Sequence, residues 1–292
     1  MKVNRKIIIY LVLGVCAGLV SFSAVELLTA AGITSFLALS LAQGAALGFI
    51  FGFVFGFADG ILYKELKSGL MKASVAALIG AITAAAAMIL TSQGMIWTSG
   101  FINLEHKQTM GILLPLWRGA GWMLMGAAIG AVDGIQQRAS RRTLAGILGG
   151  LLGGLSGGMG LEFIIRYLPE ASLARAAGLL WMGSMIGLFL GEFEKRFSYA
   201  RLRVLNGRLK DREFLLVNKK IRLGENLQDD LYLKGYKKVA RAIISRADGE
   251  IYIEGENNSR ILVNDQIAET KRTLKYQDVL KLGDVKLLYL PL

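Results

Sequence analysis

Four carboxylates and a ladder of glycines are the residues whose types and spacing could do work in this chain. Glu26, Asp59, Asp133 and Glu162 stand in or at the edges of long apolar segments. An ionisable group there is costly, and it marks an ion path, a proton relay or an anchoring ion pair. Asp59 and Asp133 lie near one edge of their segments, and Glu26 and Glu162 near the other. Asp59 is within reach of Lys64 and Asp133 of Arg138. That placement favours membrane-edge anchoring over ion or substrate coupling, and no charged residue falls midway through an apolar segment. His106, the sole histidine, neighbours Glu105 without a cysteine or second histidine to complete a metal set. The glycine-rich tract 146–160 is followed by no Gly-Lys-Ser/Thr and preceded by no strand, so it does not read as a phosphate cradle. With no positioned acid, base or nucleophile, the chain is expected to be no enzyme and to need no cofactor and no metal.

The elements that position these residues divide near residue 197. Residues 1–196 hold only 9 Asp+Glu and 15 Lys+Arg, whereas 197–292 hold 13 acids and 19 basic residues. The chain is 53% hydrophobic with a mean hydropathy of +0.47, which excludes an ordinary soluble domain and excludes disorder. Its net charge of +12 splits evenly, +6 to each half, so no nucleic-acid partner is expected. The one cysteine, Cys16, lies in the first apolar run, so there is no disulfide framework.

Apolar runs of about 20 residues match a bilayer core about 30 Å thick. Six spans are expected, at about 7–25, 38–62, 70–92, 114–135, 144–165 and 174–194. Of the 15 basic residues, 11 fall on one side of this arrangement and 4 on the other. The positive-inside rule then places both termini in the cytoplasm, in the inner membrane of a bacterial cell. A cleaved signal peptide over residues 1–24 is the competing reading, because Ser21-Phe22-Ser23-Ala24 resembles a cleavage site.

The spans repeat. Gly48, Gly52 and Gly56 precede Asp59-Gly60, as Gly126 and Gly130 precede Asp133-Gly134, and Gly183, Gly187 and Gly191 follow the same spacing with Leu190 at the aspartate's place. Gly14, Gly18 and Glu26 match Gly150, Gly154 and Glu162. Three hairpins repeated in one orientation account for this. Glycine at every fourth position clears one helix face so that backbones approach closely. Packing is therefore the reading adopted for Gly48, Gly52, Gly56, Gly126, Gly130, Gly150, Gly154, Gly183 and Gly187; a pore or sliding interface is the alternative.

From Arg212 the pattern changes to short alternating runs, among them Glu213–Val217, Ala242–Ser245, Glu250–Ile253, Arg260–Val263 and Val285–Tyr289. Gly224, Asp248-Gly249, Asn257-Asn258 and Gly283-Asp284 mark turns. Short strands at this spacing predict a small β-sandwich. The fold class is thus multi-domain: an α-helical membrane bundle over 1–196, a linker over 197–211, and a small all-β sandwich over 212–292.

The sandwich segment resembles the forkhead-associated (FHA) family over nearly all of 212–292. Arg222-Leu223-Gly224-Glu225 resembles the family's Ile-Gly-Arg strand end, and Val239-Ala240-Arg241-Ala242-Ile243-Ile244 its Val-Ser-Arg-x-His-Ala segment. Asp230-Leu231-Tyr232-Leu233, Ser259 to Asn264, and Leu274 to Gly283 follow in the family's order. The resemblance implies a sandwich that binds phosphothreonine peptides through an arginine, a serine and an asparagine. At those places this chain has Glu225, Ala240 and Ser259, with Ile243 for the structural histidine. Glutamate for arginine sets a repelling anion where a pairing cation is needed, so dependence on phosphothreonine is not expected. Lys234, Lys237, Lys238, Arg241 and Asn264 are the candidate protein-binding loop residues, for an acidic partner or the inner leaflet; a solvated basic loop is the plain alternative.

These features predict a membrane-anchored scaffold or signalling adaptor, with the bilayer and a cytoplasmic protein as partners. The other reading is a transporter, channel or lipid-handling protein that the FHA-like domain regulates, since repeats are common in transport folds.

Overall fold

The computed structural model describes the chain apart from residues 1–3, 64–65, 102–106, 137–138, 227–228, 234, 237, 257–258 and 269–270, and apart from the side chains of residues 4–5, 59, 63, 68, 95–96, 98–101, 107–114 and 133. It divides into two compact units, Met1–Glu194 and Lys195–Leu292.

The first unit is helical. Six long helices, α1 (Asn4–Ala30), α2 (Phe36–Gly56), α4 (Leu66–Phe101), α5 (Lys107–Gln136), α6 (Ser140–Tyr167) and α7 (Ala171–Phe197), are joined by a short α3 (Ala58–Tyr63). Ser35 caps α2, its hydroxyl accepting from the Ala38 N–H at 3.4 Å. The expected span 38–62 falls in α2 and α3, which meet at Phe57, itself in the helical region and bonded to Phe53 behind it and Ile61 ahead. Among the described residues five stretches are long and apolar enough to cross a membrane: Lys6–Ala30, Phe36–Leu62, Gly69–Gly94, Ser140–Tyr167 and Ala171–Phe197. The fourth expected span lies in α5, part of whose side chains are outside the described residues.

The unit is built inside out relative to a soluble bundle. Ile8, Val12, Leu27, Leu78 and Ile82 are exposed, while the helix contacts run through glycine and alanine, with Phe51, Met125, Met182 and Ile186 buried among them. Water would penalise so much outward apolar surface. Hydrocarbon would not, and helices that satisfy their own backbone are one of the two structures it tolerates.

The second unit is a two-sheet sandwich. Its strands are β1 (Ala200–Val204), β2 (Glu213–Leu216), β3 (Lys220–Gly224), β4 (Leu231–Tyr232), β5 (Ala242–Ala247), β6 (Glu250–Gly255), β7 (Ile261–Val263), β8 (Gln266–Ala268), β9 (Arg272–Thr273), β10 (Val279–Leu282) and β11 (Val285–Leu290). One sheet runs β2-β1-β11-β10-β7-β8 and the other β4-β3-β5-β6-β9. Alternate residues turn inward, as period-two patterning requires. Leu202, Val204, Leu223, Ile244, Ile253, Ile261, Leu280 and Leu287 are all fully or almost fully buried. Two hairpins close through two-residue loops in which both residues have positive φ, Asp248-Gly249 and Asn264-Asp265. That is the twist-matched geometry that favours Asp, Asn and Gly.

Two sequence expectations are corrected here. Residues 197–211 are no plain linker, because they contain β1, which pairs with both β2 and β11 inside the six-stranded sheet. Its five residues alternate as a strand should, with Arg201 and Arg203 outward between buried Ala200, Leu202 and Val204. Gly224 is no turn either: it ends β3, in parallel register with Tyr232. Asn257-Asn258, the third expected turn, lies outside the described residues.

Candidate functional site

In the helical unit the glycines that the spacing singled out sit where helices touch. A Cβ on Gly48 would overlap the Gly80 carbonyl, one on Gly52 the Ala76 carbonyl, and one on Gly56 would stand 2.7 Å from the Ala76 methyl, so α2 lies against α4. Gly126 faces Gly150, Gly130 faces Gly146, and Gly154 faces the Trp122 carbonyl, so α5 lies against α6. Gly183 faces Gly14 and Gly187 faces the Tyr10 carbonyl, so α7 lies against α1. Any side chain at these places would push two backbones apart.

The carboxylates fall into two groups. Glu26 accepts from Arg175 Nε at 2.7 Å, tying the end of α1 to the start of α7. Glu162, on α6, pairs with Arg118 Nη1 of α5 and is almost completely buried beneath it. The side chains of Asp59 and Asp133, together with Lys64 and Arg138, lie outside the described residues. At the opposite end of the bundle Glu194 of α7 accepts from Lys6 Nζ at 2.6 Å and lies 3.5 Å from Arg142 Nη2, joining α1, α6 and α7. The sequence reading passed over Glu194 as a span terminus. Its signal was present: it stands seven residues after Gly187, two helical turns along the same face.

In the sandwich the loops at one end carry the residues that the family resemblance singled out. Glu225 Oε1 accepts from the Val239 N–H at 3.1 Å. Asp229, with its side chain nearly buried, accepts from the Asn226 N–H at 2.9 Å and from Arg241 Nη2 at 3.2 Å. Arg241 also lies 3.7 Å from Glu256. The bare Cα of Gly224 makes room for the Asp229 carboxylate, which a Cβ there would overlap. Arg241 is therefore engaged by two carboxylates that the sequence reading did not weigh. Lys238 has a positive φ of 52° and its carbonyl is packed against Gly283, itself at φ 63°. Lys234 and Lys237 lie outside the described residues. Asn264 bonds on both sides of its amide: its Nδ2 donates to Asp278 Oδ1 at 2.7 Å, and its Oδ1 accepts from the Val279 N–H at 2.8 Å. It clamps the β7–β8 turn to β10.

Deeper in the sandwich, Tyr289 is buried and stacked on Tyr276 at 5.4 Å between ring centroids. Burial first, then Tyr276 and Tyr199, push its phenol well above the usual tyrosine range, against a smaller lowering by Arg246. Among the described residues no three His, Cys, Asp or Glu side chains gather to hold a metal ion.

No family model matches the chain, and no curated protein matches it. Among solved structures the chain is similar to the Mycobacterium tuberculosis protein EmbR in complex with a low affinity phosphopeptide, at 14% identity, covering 97% of this chain and 71% of that chain with a TM-score of 0.29. At that score the likeness carries no argument about fold or ligand.

Proposed function

We propose that this chain is a membrane-anchored adaptor of a bacterial cell membrane. The apolar helices hold it in the bilayer with both termini in the cytoplasm. An FHA-like sandwich presents its loop end to a protein partner, without reading phosphothreonine and without catalysis. The helical unit is three copies of one glycine-zipped pair, and it serves as a rigid anchor.

The observation that carries this reading is the state of Arg241. Its guanidinium, the fork best suited to pair an incoming phosphate, is already held by Asp229 and Glu256, which leaves the exposed Lys238 as a single point charge. A phosphate arriving there would meet these two acids and Glu225, and would have to displace a carboxylate to gain its cation. Charge-assisted bonds contribute about 1.5–3 kcal/mol each, and a micromolar ligand needs about 8 kcal/mol in all. Withdrawing two or three such bonds removes much of that affinity.

Calorimetry of residues 195–292 against paired phosphothreonine and unphosphorylated peptides tests the recognition. Equal affinity for both members of each pair is expected. A micromolar ligand whose binding vanishes on dephosphorylation would overturn it. Reporter fusions after Leu173 and after Arg196 test the anchoring, and should report opposite sides of the membrane.

A further inference from the structure

The end of the bundle that carries Arg118 and Arg175 holds a cavity of about 430 Å³. That is within the ~300–1,000 Å³ of ordinary small-molecule sites. Its walls include Leu47, Met88, Trp122, Met125, Leu161 and Leu179. Both arginines line it as well.

The three zipped pairs differ at this end. Arg118 stands eight residues before Gly126, and Arg175 eight before Gly183; Glu162 stands twelve after Gly150, and Glu26 twelve after Gly14. Each set forms an Arg–Glu ion pair. In α2 and α4 the matching positions, counted from Gly52 and Ala76, are Gly44 and Met88. The bare Gly44 lies against the Met88 side chain, 2.8 Å from where its Cβ would be. Two pairs therefore bring a cation to the cavity, and the third brings none: α2 and α4 line it with Leu47, Ala84 and Met88 and with the uncharged polar Ser40, Gln43, Thr91 and Ser92.

The hydrogen-bond balance then selects the ligand. A guanidinium has five N–H donors. Among the described residues Arg118 donates to Glu162 alone and Arg175 to Glu26 alone. Glu162 is nearly buried under Arg118, whose own side chain remains 41% exposed. Among the described residues no hydroxyl or amide of the wall accepts from either guanidinium. A cationic ligand would be repelled by the exposed guanidiniums, and a neutral apolar one would leave their donors unmatched in a region of low dielectric. An oxyanion head with an apolar tail satisfies both the donors and the walls.

We propose that this cavity binds one phospholipid-like amphiphile, whose phosphate head is held by Arg118 and Arg175 and whose chain lies on the apolar wall formed by Leu47, Met88, Trp122 and Met125. Glu26 and Glu162 are positioning residues that hold the two guanidiniums at the mouth. The proposal is independent of what the sandwich binds.

The test uses the full chain in an uncharged detergent, with native mass spectrometry and thermal unfolding as readouts. The probes are dioctanoyl phosphatidic acid, dioctanoylglycerol and inorganic phosphate. One retained phosphatidic acid per chain and a raised Tm are expected, with dioctanoylglycerol and inorganic phosphate each binding about tenfold more weakly or worse. Arg118→Gln alone strands a buried carboxylate and can unfold the bundle, so the variant of choice is Arg118→Gln with Glu162→Gln, which should weaken phosphatidic acid about tenfold. A second variant, Ser40→Trp, fills the cavity from its wall, leaves both ion pairs intact, and should lose the adduct. Equal binding of dioctanoylglycerol would overturn the role of the arginines. Equal binding of inorganic phosphate would make the site one for a free anion and overturn the lipid. An adduct that survives both variants would place the lipid elsewhere.

Discussion

Gly14 and Gly183 face each other backbone to backbone, so that the first long helix of the bundle is clasped to the last: a Cβ on either would overlap the carbonyl of the other. The closure joins segments some 170 residues apart in sequence. It lets each of the six long helices lie against one partner through small residues, where lipid offers no hydrophobic drive for association.

Substituting Gly183→Leu should therefore open the α1–α7 contact. Overpacking of this kind costs typically about 1–3 kcal/mol and more where backbone must move. Thermal unfolding of the full chain in detergent should show a clear loss for Gly183→Leu and little change for Ile82→Ala, whose side chain is 70% exposed. A Tm unchanged by Gly183→Leu would mean that α1 and α7 do not touch.

Much of this unit could be read from residue spacing, because glycine every fourth position has one physical meaning in a helix: a cleared face. Which faces meet was not legible. The period fixes a stripe but names no partner, so α7 against α1 could not be told from α7 against α6. The Arg118–Glu162 and Arg175–Glu26 pairs were hidden for the same reason, each joining two helices, although their equal offsets from the ladder glycines are visible in hindsight. In the sandwich, Asp229 drew no notice because a lone aspartate before a strand is ordinary. It gains its role from Arg241, which lies twelve residues on and across the loops.

Glu194 should be the most sensitive charge in the bundle. Its carboxylate and the side chains of Lys6 and Arg142 are all largely buried, so Glu194→Ala removes a carboxylate that two cations share. Breaking a buried pair costs about 3–5 kcal/mol. Lys6→Ala should cost less, since Arg142 remains beside the carboxylate. Chemical or thermal unfolding of both variants should rank them in that order, and 0.5 M salt should change neither gap much, because buried pairs are weakly screened. The reverse ranking would show that Lys6 has a role apart from Glu194.

Tyr289 gives the sandwich an alkaline limit. Its phenol is raised in the folded state, chiefly by burial. The neutral form is thus favoured by folding. The stability it contributes is fully present below the unfolded tyrosine value of about 10 and is lost as pH rises above that value toward the folded one. Unfolding of residues 195–292 in urea should therefore show a falling midpoint above pH 10. Tyr289→Phe, which keeps the ring and removes the ionising group, should flatten that fall. An identical slope in the variant would assign the alkaline loss to other groups.

The boundary of the sandwich has a direct consequence for any fragment made from it. β1 lies between β2 and β11, and it exchanges backbone hydrogen bonds with both. It also buries Leu202 and Val204 completely. A fragment beginning at Glu213, the first of the strand-like runs read from the sequence, would lack it. β11 would then have an open edge along Leu287 to Leu290, and β2 would have no neighbour. Burying a leucine and a valine contributes about 1.5–3 kcal/mol each, a large share of the 5–15 kcal/mol that holds a domain together. Residues 195–292 should unfold cooperatively with dispersed amide resonances, and residues 213–292 should be unfolded or aggregated through the exposed edge. Equal stability of the two fragments would show that β1 is dispensable and restore 197–211 as a plain linker.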